Sequence, residues 1–501
     1  MSFTPATLGK LFLFDTKLGQ TEETQHEKLL YYYPESTPTS RQLTDIGLSE
    51  ALVNFTKTFS QDKPCEAVHL EKSRQAFFEC EPGIWLVLTV NNPHTTTATK
   101  DGTTQCEYDS EEVSDSALQQ TAAQAYRMFK LFNGTFERIT NKGTVDDLRT
   151  SLAMFMPHFL KAIDFSHVDI FSALDGVHFL PVDKNVYLRV QSFINWTENT
   201  FPQIKHSCFF YRDHLIWSAL DQDDLRILYK YLVDHILSSL SSSSSSSSLA
   251  SRQKQSSPRR MFMGRKSGSN TPVSTSPSLS RRENGATSDT ASNGQVVESA
   301  LPFHFRDPAG DGYVTGPLDL NDKETHISCP FVFLGPTNER HRLIIYEHEH
   351  MFCLFFIKGD SSKLNTTFFS NLKSFILPQL QFLKPILGDH WDRKQGYADE
   401  YRYIYFNHMN LALKTSLRNK GAEISREHMK ILNDMHADFE KSTDDISELM
   451  ARTQSDGWII GRKSDQREFY VLFDNRNANL LEINEEVKKL SNTYFSNIFM
   501  D

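Results

Sequence analysis

The stretch "TDIGLSEALVNFTKTFS", Thr44 to Ser60, decides the fold, because it patterns as a helix inside a region that otherwise alternates like strands. Leu48, Leu52, Phe55 and Phe59 recur every three or four residues, the spacing that brings side chains onto one helical face. That stripe is expected to cover a sheet. Ile46 and Val53, seven apart, point to roughly the opposite side beside Glu50 and Lys57, and the spacing alone does not say what they serve.

Upstream, "GKLFLF" (Gly9 to Phe14) and "LLYYY" (Leu29 to Tyr33) read as two strands. Downstream, Ala67 to Leu70, Gln75 to Cys80 and Ile84 to Val90 read as three more, with Pro82-Gly83 as the turn between the last two. Ser114 to Phe132 and Val145 to Ile163 then show helical stripes. Strand, strand, helix, three strands, two helices fits one antiparallel five-stranded sheet with helices on both faces.

Weaker echoes of this order follow. Asn185 to Asn199 is helical, Lys205 to Ala219 a hairpin, and Asp221 to Leu237 a helix; strands at Phe331 to Leu334, His341 to Tyr346 and Met351 to Ile357 precede a helix around Phe368 to Leu383. Further on, "YRYIYFNHMNLALKT" from Tyr401 reads as a strand pair and Ser425 to Arg452 as a long polar helix. A hairpin spans Gly457 to Phe473, and a final helix runs from about Ala478 to Phe495. The third unit is short of one strand on this reading.

The tract from Ser238 to about Ser299 opens on "SSLSSSSSSSSLAS" and is nearly free of aromatics. Such a composition buries too little apolar surface to offset its ordering entropy, so it is expected to be disordered. Within it, Leu249 to Arg282 holds eight Lys/Arg and no Asp/Glu, in a chain of net charge -10. Met261, Phe262 and Met263 sit between Arg259-Arg260 and Arg265-Lys266, and cations around an apolar insert suit an anionic membrane surface. Nucleic acid is not expected, since no groove-reading helix or stacking platform accompanies the charge.

At 501 residues, 39% hydrophobic and 23% charged, the chain is globular and too long for a single core. No apolar run approaches the ~20 residues that span a bilayer, and no signal peptide is read at the start, so a cytoplasmic protein is expected. The six scattered cysteines form no CxxC pair and suggest reduced thiols.

Motifs for covalent chemistry are missing: no GxxxxGK[ST], no GxGxxG after a strand, no G-x-S-x-G elbow, no HExxH. His348 and His350 in "YEHEHMF" would share one strand face, but two ligands without a third do not make a metal site. "DQDD" at Asp221 to Asp224 reads as helix capping. No catalytic residue, metal or cofactor is expected.

"LFNGTF" (Leu131 to Phe136), "QSFIN" (Gln191 to Asn195), "LIWSALDQDDLRILYKYL" (Leu215 to Leu232), "GPLDLND" (Gly316 to Asp322), "IYFNHMNLA" (Ile404 to Ala412) and "NANLLEINEEVKKL" (Asn477 to Leu490) closely resemble the vacuolar fusion proteins of the Ccz type, in particular animal ones, with an insect suggested by the polyserine run. The matches are collinear and spread over nearly the whole chain outside the serine tract. The resemblance implies an α+β protein of three longin domains: residues 1–165; 166–237 with 301–390, interrupted by the disordered basic insertion 238–300; and 391–501. It further implies pairing with the Mon subunit, a third subunit in animals, and guanine nucleotide exchange on the late-endosomal Rab-seven GTPase. Recruitment to membranes carrying Rab-five and phosphatidylinositol 3-phosphate is implied as well. An exchange factor makes no covalent bond, which agrees with the empty motif search. Residues 1–165 would contribute to the platform for partner and GTPase, with Ile46, Glu50, Val53 and Lys57 as its candidates and Arg259 to Lys266 as the membrane contact. The competing expectation is a non-catalytic scaffold or tether that stabilises and recruits Mon.

Overall fold

The computed structural model describes residues 2–60, 65–98, 104–109, 112–165, 169–238, 311–317, 320, 327–359, 364–396, 402–417, 424–441, 447–454, 457–473 and 480–495. In the first domain a hairpin, β1 (Thr7–Asp15) and β2 (Leu29–Tyr33), leads to helix α1 (Thr39–Phe59). Then come β3 (Ala67–His69), β4 (Ser73–Glu81) and β5 (Ile84–Asn91), ordered β2-β1-β5-β4-β3 in one antiparallel sheet. Helices α2 (Asp115–Asn133), α3 (Phe136–Lys142) and α4 (Val145–Ala162) follow, and a side sheet joins Ser2–Thr4, His94–Ala98 and Thr104–Tyr108.

The continuous apolar runs of β1 and β5 reflect cover on both faces. Leu11 and Leu13 enter one core with Leu86, Leu88 and Val90, whereas Phe12, Phe14, Trp85 and Val87 enter another on the α1 side.

A short helix α5 (Ile170–Leu174) and strand β6 (Val177–His178) precede the second domain. That domain contains α6 (Lys184–Thr200), β7 (Ile204–Tyr211), β8 (His214–Ser218), α7 (Gln222–Tyr231), β9 (Asp311–Pro317), β10 (Ile327–Ser328), β11 (Phe331–Leu334), β12 (Glu339–His348), β13 (Met351–Lys358) and α8 (Thr366–Gly396). Its order is β8-β7-β13-β12, after which β9 and β11 pair with successive parts of β12. The third domain has β14 (Arg402–Asn407), β15 (Ala412–Thr415), α9 (Arg426–Lys441), β16 (Glu448–Arg452), β17 (Trp458–Ser464), β18 (Arg467–Phe473) and α10 (Leu480–Phe495), with order β16-β17-β18-β14-β15.

All three units thus share one plan of hairpin, helix, three main strands and helix with strand order 2-1-5-4-3, to which the second unit adds the short strands β10 and β11. The serine tract falls between α7 and the third strand position of the second sheet. It lies outside the described residues, as do Arg259, Arg260, Met261, Phe262, Met263, Arg265 and Lys266.

The expectation that the third unit lacks a strand is corrected. The polar helix ends at Lys441 rather than Arg452, and β16 supplies the strand, with Leu449 and Ala451 packing on one core and Met450 on another. That period of two was hidden inside the helical reading. β6 adds itself parallel to β15, and Phe179 bridges on to Leu215 of β8, so the second and third sheets are stitched edge to edge.

One large core runs through all three domains and contains α2, α4, α5, α7 and residues of α9. Each domain also keeps a private core: Phe12, Ile46 and Trp85 in the first; Val190, Phe355 and Leu380 in the second; Val471 and Val487 in the third. Asp175, the left-handed residue that ends α5 (φ 45°), sits where the domains meet. Its carboxylate accepts from Gln124 Nε2 at 2.7 Å and faces Arg127 of α2 and Arg226 of α7, each at 3.8 Å. Burial raises this carboxyl above the usual range although both guanidinium charges oppose the shift.

Candidate partner-binding face of the first domain

The sheet face beneath α1 is aromatic: Phe12, Phe14, Tyr32, Phe77 and Trp85, with Phe12 and Tyr32 stacked at 5.4 Å. The α1 side chains that seat on this floor are aliphatic or small rather than aromatic. Ile46, Ser49 and Val53 are the buried residues of α1, with Ile46 at 0% exposure and Val53 at 1%.

This overturns the expected orientation. The bulkier stripe faces outward, with Leu48 57%, Phe55 62% and Phe59 78% exposed, and Leu52 alone of the four packs at the edge of the core. Phe55 and Phe59 meet edge-on at 5.0 Å. Three and four residues apart, Leu48, Ala51, Phe55 and Phe59 form one line along the helix, and all four are exposed.

The charged candidates are likewise engaged inside the domain. Glu50 accepts from Lys28 Nζ at 2.7 Å, and Lys57 Nζ lies 5.2 Å from the Trp85 ring centre. Asp45 accepts from the Tyr32 hydroxyl at 2.6 Å and pairs with Lys10 at 2.8 Å. Burial, then the Asp45 hydrogen bond, pushes the Tyr32 hydroxyl well above its ordinary value. Ile46, Glu50, Val53 and Lys57 therefore anchor α1 to its own sheet. The face left for a neighbour is Leu48, Phe55 and Phe59, whose burial would stabilise a complex by about 1.5–3 kcal/mol per side chain.

The remaining candidates fare as follows. His348 ends β12 and is buried, while His350 lies in the following turn at φ 68°, so the two do not share a strand face. Among the described residues no group of three or more His, Cys, Asp or Glu is arranged to hold a metal ion. Asp221 occupies the N-cap of α7 without a side-chain capping bond, and Asp224 instead accepts from Gly335 N–H at 2.6 Å, tying α7 to the β11–β12 turn. All six cysteines are free, and burial pushes the Cys208 and Cys329 thiols up to about 12, away from reactivity. Among the described residues no helix is long and apolar enough to cross a membrane.

A repeated 2-1-5-4-3 sheet flanked by helices, three times in one chain, defines a tri-longin protein. Residues 8–134 match the family described as the first longin domain of INTU, CCZ1 and HPS4, residues 204–377 match Intu longin-like domain 2, and residues 398–490 match Intu longin-like domain 3. The chain is 38% identical to the vacuolar fusion protein CCZ1 homologue of Nematostella vectensis, over 100% of this chain and 99% of that one. The homologues of Xenopus laevis and Dictyostelium discoideum are each 34% identical, over 99% and 98% of this chain and 98% and 97% of theirs. The chain belongs to the CCZ1 family of vacuolar fusion proteins.

Proposed function

We propose that this protein is the Ccz-type subunit of a heterodimeric guanine nucleotide exchange factor, paired with Mon and acting on the Rab-seven GTPase during endosome maturation and lysosome fusion. A third subunit joins the pair, and Rab-five with phosphatidylinositol 3-phosphate recruits it to late-endosomal membranes. Exchange requires a surface that binds the nucleotide-free GTPase more tightly than the loaded one; the same coupling factor then weakens nucleotide binding.

The observation that carries this reading is the outward face of α1. The equivalent helices α7 and α9 hold none of the exposed large apolar side chains, since other domains of the chain cover them, whereas α1 presents Leu48, Phe55 and Phe59 uncovered. A partner longin domain or the GTPase would complete the first domain as the neighbouring domains complete the other two. The basic segment Arg259 to Lys266 supplies the membrane contact in this reading.

The test mixes the purified chain, Mon, or both with Rab-seven loaded with a fluorescent nucleotide. Fast release with both chains and slow release with either alone is expected. Equally fast release by Mon alone would leave this chain a scaffold. Changing Arg259, Arg260, Arg265 and Lys266 to Ser is expected to lower binding to anionic liposomes and to spare exchange in solution.

A further inference from the structure

The β11–β12 hairpin carries an arrangement that the exchange reading does not use. Phe331 and Phe333 lie two apart on β11, opposite Arg342 and Arg340 of β12, so rings and guanidiniums share one face of the ribbon. The Arg340 guanidinium carbon stands 3.4 Å from the Phe331 ring centre, and that of Arg342 stands 4.1 Å from the same ring. Arg138 reaches across from α3 of the first domain to stand 4.1 Å from the Phe333 ring centre. The chain bends there at Gly134 (φ 86°), where an added Cβ would lie 3.2 Å from Arg138 Cδ and 3.8 Å from Phe333.

Stacking fixes a guanidinium flat on a ring while its N–H edges stay available for carboxylate or phosphate oxygens. Arg138 uses one N–H on the Asn338 carbonyl at 3.1 Å, and the Arg340 side chain makes no hydrogen bond or ion pair among the described residues. The acids nearby are engaged elsewhere: Glu339 with Lys358 at 2.6 Å, and Asp224 with the Gly335 N–H. Burial first, and then the Arg340 charge, lowers the Arg138 guanidinium from its ordinary value, and the two rings on which these cations stack lie two residues apart on one face of β11. In a chain of net charge -10 this is a local positive excess.

We propose that Arg138 and Arg340 form a docking site for an acidic peptide segment of a partner protein, whose carboxylate or phosphate oxygens bridge the two guanidiniums. A peptide fits better than a bilayer, because the hairpin tip (Gly335, Pro336, Thr337, Asn338) offers no large apolar side chain to insert. The site joins the first and second domains, so an occupied site also clamps their contact.

The test uses the full chain and a fluorescein-labelled dodecapeptide rich in glutamate, with its phosphoserine counterpart, read by anisotropy at about 50 mM salt, where screening is weak. Binding is expected to weaken about tenfold or more when Arg138→Gln and Arg340→Gln are combined, as two charge-assisted contacts are lost. Arg138→Lys with Arg340→Lys keeps the charge but not the flat fork, and is expected to restore part of it. The thermal midpoint of each variant serves as the folding control. Equal binding by wild type and the folded double-Gln variant would overturn the proposal. So would capture of phosphatidylserine vesicles, but not of either peptide, through the same arginines.

Discussion

Helices α1 and α7 occupy the same place in the longin plan, each directly after the opening hairpin, yet they are turned to opposite fates. In α7, Leu225, Ile227, Leu228, Tyr229 and Tyr231 are all buried, because the core that runs through the three domains surrounds it. In α1, three residues are buried and the largest side chains are outside. The second domain turns α7 toward the shared core and α6 with α8 toward its private one. The first domain does the reverse, giving α2 and α4 to the shared core and α1 to its private one. An apolar stripe on a helix therefore does not by itself identify the face that its own domain buries.

The largest break in this comparison comes from the inner face of α1. Ile46→Asp with Val53→Asp would place two charges against five aromatic rings, and a loss above ~4 kcal/mol is expected. Soluble yield and thermal unfolding check it; a well-folded double mutant would mean that the helix is rotated from the orientation described.

A truncation pair separates the two helices directly. Leu228→Ala, at a side chain with 0% exposure, should cost about 2–5 kcal/mol, whereas Phe55→Ala should stay within about 0.5 kcal/mol for the isolated chain. Denaturant midpoints of the two variants give the contrast, and similar losses would contradict it.

The third domain supplies a pH-dependent point of comparison, because α9 is held by a buried ion pair as well as by the packing of Leu432, Met435 and Phe439. His436 Nδ1 is 2.8 Å from Glu468, which also accepts from His408 at 2.8 Å and from the Tyr470 hydroxyl at 2.6 Å. Burial opposes the charge on each partner. The His436 and His408 bonds nevertheless hold Glu468 well below the usual carboxylate range, and Glu468 raises His436 above the ordinary histidine value. A raised histidine contributes fully below ~6.5 and loses its contribution as pH rises through its folded value; a depressed carboxylate contributes above ~4.3 and loses it as pH falls. The contribution of this pair should therefore decline as pH rises above about 6.5 through the raised value of His436, and His436→Gln should flatten that part of the stability slope. An unchanged slope in thermal midpoints across this range would show that the pair does not govern it.

The smallest expected effect at a residue that holds α1 to its own domain is that of Lys57→Met. Removing the cation from above Trp85 should cost about 0.5–1 kcal/mol and leave partner pairing intact, because Lys57 serves its own sheet. Loss of pairing without loss of stability would restore Lys57 to the partner face.

Much of this architecture is legible in the residues. The hairpins of all three units and the three-strand run of the first follow from period-two patterns and turn residues, and the three-longin expectation follows from resemblance. In the second unit β9 (Asp311–Pro317), whose "DGYVTGP" carries two glycines and a proline and little apolar alternation, does not read as a strand. The face of α1 is not legible, since Leu48, Phe55 and Phe59 outweigh Ile46 and Val53 in apolar bulk. The sheet face already supplies the bulk on that side, through Phe12, Phe14, Tyr32, Phe77 and Trp85, and which helix residues meet those rings is a property of three dimensions. β16 escaped for a different reason: its alternation is shorter than the helical stretch that precedes it. The Arg138–Phe333 contact joins positions 195 residues apart and two domains, beyond any local pattern.

The most direct test of the central claim, that the outward face of α1 is the protein's partner surface, is nucleotide release from Rab-seven by the complex of Mon with a Leu48→Asp, Phe55→Asp, Phe59→Asp chain. The account predicts that this chain keeps its thermal midpoint alone, while Mon pairing or release falls by tenfold or more, as expected when central apolar contacts of an interface are removed. Normal pairing together with normal release kinetics would contradict it.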